Sequence, residues 1–121
     1  MLCIGTDLIE VARIQKALDR WGERFLNRIY TGHEQEICSQ NAERLASRFA
    51  GKEAVMKALG TGAIGISWRE IEIATESTGK PLVRLYGKAR QKADSIGLDE
   101  LVISLSDTSE YAMASVIGEI K

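Results

Sequence analysis

The stretch "SRFAGKEAVMKALGTG", Ser47 to Gly62, decides how the chain is read. Residues three and four apart share one face of an α-helix. On that rule Leu45, Ala46, Phe49, Ala50 and Met56 form an apolar stripe, and a helix is predicted from about Asn41 to Leu59. Gly60 is a natural C-terminal stop, and the glycine-rich "GTGAIGIS" that follows reads as a loop. Glu53 and Lys57 point the same way as the stripe and are i,i+4 neighbours. One reading makes them a solvated pair worth a few tenths of a kcal/mol. The other makes them functional, because burying two charges costs several kcal/mol of desolvation and stabilises poorly. In that second reading the carboxylate could hold a hard cation such as Mg²⁺. Such an ion takes one or two carboxylates together with waters and substrate phosphates. The lysine one turn on could reach a phosphate oxygen.

On the N-terminal side, "LCIGTDLI" (Leu2 to Ile9) reads as a short buried strand broken by Gly5. A helix is predicted from about Glu10 to Trp21, because Val11, Ile14, Leu18, Trp21 and Phe25 recur at helical spacing. Thr31 is placed to cap a short helix starting near His33. Beyond the loop, "SWREIEIAT" and "PLVRLYG" both alternate, with turn chemistry in "ESTGKP" between them, so the pair reads as a β-hairpin. "KARQKADSIG" is a short helix ended by Gly97, and "ELVISLS" and "YAMASVIGEI" are two further strands joined by "DTSE". The order β-α-(α)-α-β-β-α-β-β favours an α+β fold. Its helices would cover one face of a largely antiparallel sheet, in a single domain over residues 1–121.

Composition narrows the functional classes. The chain of 121 residues is 45% apolar and 27% charged, ordinary for a globular domain of one core. A formal net charge of −1 gives no global field, so nucleic-acid binding is not expected. Cys3 and Cys38 make neither a disulfide framework nor a metal knuckle, and Cys3 in its apolar run reads as a buried free thiol. The N-terminus lacks a charged leader, and no apolar run is long enough to span a bilayer. A cytoplasmic protein with no membrane partner is expected. His33 is the only histidine, and no Ser-His-Asp, Cys-His or zinc-ligand set can be assembled. The loop "GTGAIG" is neither a Walker loop nor a dinucleotide fingerprint.

Two other features need explaining. Asp7 stands in an otherwise apolar strand, where Asp is disfavoured. It is either a strand-end residue or, with Glu53, a second oxygen ligand for a metal–phosphate site. Arg13, Lys16, Arg20 and Arg24 are spaced three, four and four, roughly opposite Ile14, Leu18, Trp21 and Phe25. Such a stripe is either a solvated face or a docking surface for an acidic partner. The last two strands add a third point. Val102, Ser104 and Ser106 alternate against Leu101, Ile103 and Leu105, while Ala112, Met113, Ala114, Val116 and Ile117 leave almost no polar face. One face can cover the chain's own helices, and the other calls for a neighbouring subunit.

Asp7 in "GTDLIEVARI", then "RFAGKEAVMKALGTG", "GKP" and "VISLSDTSEYAMASV", together resemble the bacterial holo-[acyl carrier protein] synthases, the small type of 4′-phosphopantetheinyl transferase. The resemblance covers nearly the whole chain and is weakest from Thr31 to Arg44. It implies transfer of 4′-phosphopantetheine from coenzyme A to a serine of apo acyl carrier protein, with release of 3′,5′-ADP, in support of fatty acid biosynthesis. It implies that Asp7 and Glu53 bind Mg²⁺ and that Lys57 touches phosphate or the attacking group. Further coenzyme A contacts are implied at Arg48, Phe49, Lys57, Gly60, Gly62, Lys80, Pro81, Asp107 and Thr108. Arg13 and Arg24, with Arg20 between them, match positions that meet the acidic helix of the carrier protein. A homotrimer with interfacial active sites is implied as well. Asp107 departs from the family's "SxxHT" motif, so no cationic contact is implied there. Two competing readings remain at this point: a non-enzymatic adaptor docking through the basic stripe, and a metal-dependent phosphatase.

Overall fold

The computed structural model describes residues 1–60 and 64–121. Along the chain run β1 (Leu2–Glu10), α1 (Val11–Trp21), α2 (Glu23–Ile29), α3 (Gly32–Cys38) and α4 (Ala42–Leu59). A 3₁₀ turn (Trp68–Glu70) leads to β2 (Ile71–Thr75), β3 (Pro81–Leu85), α5 (Gly87–Ser95), β4 (Leu98–Asp107) and β5 (Tyr111–Ile120). The fold is α+β. The single sheet expected from the sequence resolves into two antiparallel ones, a three-stranded sheet in the order β1-β5-β4 and the β2-β3 hairpin. β5 is the centre of the larger sheet, pairing with β1 from Leu2↔Glu119 to Glu10↔Tyr111 and with β4 on its other side.

α4 is the central helix. Asn41 caps its start by accepting from the Arg44 N–H, and Gly60, at φ +87°, ends it. It lies across the inner face of the larger sheet and also touches α1, α3 and β2. Its small residues Ala46, Ala50, Gly51, Ala54 and Ala58 are all buried, which lets the helix backbone approach the sheet closely. The inner-face positions of the strands, Ile9, Ile103, Ala112, Ala114 and Val116, are buried beneath it. The outer face is open and apolar: Leu2, Ile4 and Leu8 on β1 are 72%, 69% and 61% exposed, with Val102, Met113 and Ile117 beside them.

Three expectations change. The first helix ends at Trp21 as expected, where Gly22 takes φ +51° and its N–H closes back on the Leu18 carbonyl, but the apolar stripe that continued to Phe25 does not belong to one helix. A separate α2 then begins, and Trp21 is 47% exposed rather than part of the core. Trp68 lies in the 3₁₀ turn, not in a strand, and β2 is buried on both faces, Glu72 included. Glu72 tolerates burial because the Thr31 hydroxyl donates to its Oε2 at 2.6 Å. Cys3 is half-buried rather than buried. The cap at Thr31 is as expected, with Glu34 completing a capping box at the start of α3.

Candidate active site at the crossing of β1 and α4

The site begins at Gly5. A Cβ at this position would lie 1.8 Å from the Ala54 carbonyl oxygen and 3.0 Å from the Ala58 nitrogen. Only glycine lets the two backbones meet so closely. Period-two alternation then puts Asp7 on the same inner face as Gly5, toward α4. Lys57 Nζ donates to the Thr6 carbonyl at 2.9 Å and to Asp7 Oδ1 at 3.1 Å. Glu53, one turn earlier on α4, is half-buried. Burial holds its carboxyl above the ordinary glutamate value; the nearby Asp7 carboxylate pushes the same way, and the Lys57 ammonium opposes both. Asp7, Glu53 and Lys57 therefore come together, as their sequence contexts predict.

The donor set suits a hard cation. The two carboxylates repel each other across the crossing, and a divalent ion between them would relieve that repulsion. Among the described residues no group of three or more His, Cys, Asp or Glu side chains is placed to hold a metal. Two carboxylates alone leave coordination positions for water and phosphate oxygens, which is how Mg²⁺ is usually held.

The sign of the Glu53 shift gives a measurable consequence. A carboxyl whose folded value is raised contributes stability at low pH that is lost as pH rises through that value. In metal-free protein, Glu53→Gln is expected to melt at a higher temperature than wild type at neutral pH. The gap should close as acid protonates Glu53. Thermal melts across that range check it, and a gap that widened on acidification would contradict the assignment.

The buried charge pair is not Glu53 with Lys57, for which the sequence left a solvated and a functional reading open. Lys57 is 54% exposed, and its ion pair is with Asp7 across elements, not with Glu53 along the helix. The desolvated pair is Lys52 with Glu34, at 2.7 Å, with both side chains at 0% exposure. The missed signal was positional. Lys52 falls seven residues after Leu45 and seven before Leu59, both of them buried, so it lies on their line along the helix. Burial lowers the Lys52 pKa, and Glu34 works against that.

The remaining candidates are dispersed. Arg48 is tied to Thr75 Oγ1 (2.9 Å) and Ser47 Oγ (3.3 Å), while its buried Nε has no hydrogen-bond partner among the described residues. Phe49 stacks on Trp68, centroids 4.9 Å apart. Gly60 caps α4; Gly62 lies outside the described residues. Lys80 is exposed and Pro81 begins β3 opposite Thr75. Asp107 pairs with Ala112 at the end of β4, and Thr108 Oγ1 accepts from the Glu110 and Tyr111 N–H groups in the turn. Among the described residues no hydrogen bond links Asp107 or Thr108 to the Asp7 cluster. His33 is exposed. Cys38 is buried, and burial pushes its thiol up to about 11, so it is no nucleophile at neutral pH.

Arg13, Lys16, Arg20 and Arg24 are all exposed, although Arg24 stands on α2 beyond the break at Gly22. Trp21 bridges that break, with the Arg20 and Arg24 guanidinium carbons 4.8 and 5.7 Å from its ring centroid. Beside them opens a cavity of about 540 Å³ lined by Ala17, Trp21, Arg24, Phe25, Arg28, Ile29, Phe49 and Trp68.

Known proteins match nearly the whole of this chain. The family described as the 4′-phosphopantetheinyl transferase superfamily matches residues 3–116. The holo-[acyl-carrier-protein] synthase of Herpetosiphon aurantiacus is 46% identical, covering 98% of this chain and 98% of its own. That of Dehalococcoides mccartyi is 49% identical, covering 98% and 99%. Among solved structures, the Helicobacter pylori holo-[acyl-carrier-protein] synthase in complex with coenzyme A superposes with a TM-score of 0.86 at 33% identity, over 96% of this chain and 99% of that one. The Neisseria meningitidis holo-[acyl-carrier-protein] synthase gives 0.85 at 37% identity, over 97% of each. Identity of this order over nearly full length leaves no room for a different family, and the chain belongs to the holo-[acyl-carrier-protein] synthases of the 4′-phosphopantetheinyl transferase superfamily.

Proposed function

We propose that the chain moves the 4′-phosphopantetheine of coenzyme A onto a serine hydroxyl of apo acyl carrier protein. The reaction depends on Mg²⁺, releases 3′,5′-ADP and supplies fatty acid biosynthesis. Membership in a transferase family sets aside the adaptor and phosphatase readings. The observation that carries the proposal is the convergence of Asp7, Glu53 and Lys57 where β1 crosses α4. Phosphoryl transfer asks a protein mainly for positioning and charge stabilisation. Asp7 and Glu53 would hold the metal, which when bound neutralises diphosphate charge and steadies the leaving group. Lys57 is kept at the site by the Thr6 carbonyl and can turn its remaining donor to a phosphate oxygen. Glu53, or a water held by Asp7, accepts the serine proton. Arg48, Phe49, Gly60, Gly62, Lys80, Pro81, Asp107 and Thr108 are assigned to the rest of coenzyme A. The acidic Asp107 offers no cation to a phosphate.

The carrier docks on α1 and α2. Arg13, Arg20 and Arg24 are exposed to meet its carboxylates, and the aromatic cavity beside them takes an apolar side chain. The deciding experiment is mass spectrometry of apo carrier protein incubated with this protein, coenzyme A and Mg²⁺. The carrier is expected to gain one phosphopantetheine. Arg24→Glu should raise the carrier KM and leave the coenzyme A KM unchanged. An unmodified carrier would overturn the proposal, and a change confined to coenzyme A would overturn the docking assignment.

The outer sheet face supports a homotrimer with shared sites. Ile4, Ile117 and Val102 form one row across β1, β5 and β4, exposed on all three strands. Area of this kind is seldom left open to water. Sedimentation should return about three times the 13.3 kDa chain mass, and Ile117→Asp should shift it toward one. A fully active monomer would contradict the assembly.

A further inference from the structure

Lys52 directly precedes Glu53, yet nothing in the transfer reaction uses it. Its ammonium is fully buried and all its donors are spoken for: Glu34 Oε1 at 2.7 Å, the Trp68 carbonyl at 3.0 Å and the Ile71 carbonyl. Glu34 is itself fixed, Oε1 accepting from the Thr31 N–H at 2.8 Å and Oε2 from the Ile73 N–H at 2.7 Å. The pair thus stitches α3, α4, the 3₁₀ turn and β2 together. Buried ion pairs are poor sources of stability but can specify one arrangement over others.

The arrangement specified here is that of Trp68. Lys52 catches its carbonyl, and its ring stacks on Phe49, one turn before Lys52 on α4, at 4.9 Å and 24°. Glu70 holds the turn's own shape by accepting from the Ser67 N–H at 2.7 Å and ties its far end to α5 by accepting from the Lys88 and Tyr86 N–H groups, but these bonds are made at Glu70 and not at Trp68. Preceding Trp68, Ile64 is 91% exposed and Gly65 and Ser67 are exposed too, so among the described residues on that side only Ile66 packs against the core. Phe49 and Trp68 form one wall of the 540 Å³ cavity, and α1 and α2 form the other.

We propose that Lys52, backed by Glu34, is a positioning residue for carrier recognition: it sets the Trp68 ring against Phe49 and so fixes the wall of the cavity that receives the carrier's apolar side chain. The proposal rests on the docking reading given above. Lys52→Met is expected to raise the carrier KM by about 10-fold or more and to move the coenzyme A KM by less than about 2-fold. In a Trp68→Ala background the same substitution should add less than about 2-fold, because its route is already cut. The chain has two tryptophans, so in Trp21→Phe protein Trp68 alone emits, and Lys52→Met should shift that emission with neither substrate present. Unchanged emission, equal rises in both KM values, or additive effects with Trp68→Ala would each overturn the assignment. The emission readout needs no turnover, so a wild-type protein that modified no carrier would sink the parent reading separately. Should Lys52→Met fail to fold, Glu34→Asp keeps the charge and draws it back by one methylene. It is expected to give the same KM split on a smaller scale, and no split there overturns the assignment equally.

Discussion

Gly5→Ala is expected to abolish most transfer activity while touching no substrate. The added Cβ would meet the Ala54 carbonyl oxygen at 1.8 Å, which is backbone and cannot rotate away. Neither partner yields easily: β1 is paired along its length with β5, and Ala54 lies inside the α4 hydrogen-bond ladder. The two elements must therefore move apart, at an overpacking cost of about 1–3 kcal/mol or more. Asp7 is carried on one of them and Glu53 on the other. A misplacement of about 1 Å in such a site can cost about 100-fold in rate. Transfer assays and thermal melts on the same sample check both parts. Wild-type kcat/KM in Gly5→Ala would show that the close approach does not set the site.

Asp7→Ala and Glu53→Ala should each lower kcat/KM by about 100- to 1000-fold, the scale of losing a group that stabilises developing charge. The fold should persist in both. Neither carboxylate is sealed in the core, and Lys57 keeps its bond to the Thr6 carbonyl when Asp7 is removed. A second readout is independent of turnover. Wild-type protein should gain melting temperature on adding Mg²⁺ with coenzyme A, whereas either variant should gain less. Transfer that proceeds undiminished in a chelator, or either variant turning over at the wild-type rate, would remove the metal from the mechanism.

Much of this was legible in the chain. The long helix to Gly60, the Thr31 cap and the hairpin around "ESTGKP" follow from local signals, and the structure has them. The odd position of Asp7 pointed to the site because a charge in a strand needs a reason. What the stripe alone does not tell is which lysine of "GKEAVMK" is buried. Helical periodicity ranks faces against one apolar stripe, but α4 is packed by the sheet, β2, α1 and α3 together. A helix enclosed on so many sides has no single buried face, so a reading built on one stripe passes over Lys52, although its place on the line from Leu45 to Leu59 marks it as inside. Trp21 misled for a related reason. Its spacing continued the stripe, but it is the last residue of α1, and the turn at Gly22 redirects the chain into α2, leaving the ring half-exposed. The division into two sheets was equally out of reach, since the partner of Leu2 is Glu119, at the far end of the chain.

That distant pairing also sets a timetable. The middle strand of the larger sheet is the latest of the strands to leave the ribosome, and both of its neighbours wait for it. Asp7 emerges about a hundred residues before β5, and its strand stays without a hydrogen-bonding partner until Tyr111 to Ile120 have been synthesised. No length of this chain that lacks β5 can set Asp7, on an assembled sheet, against Glu53 on α4. The catalyst becomes possible only once β5 has been made, and until then the nascent chain carries an apolar, unpaired edge that chaperones and proteases can reach.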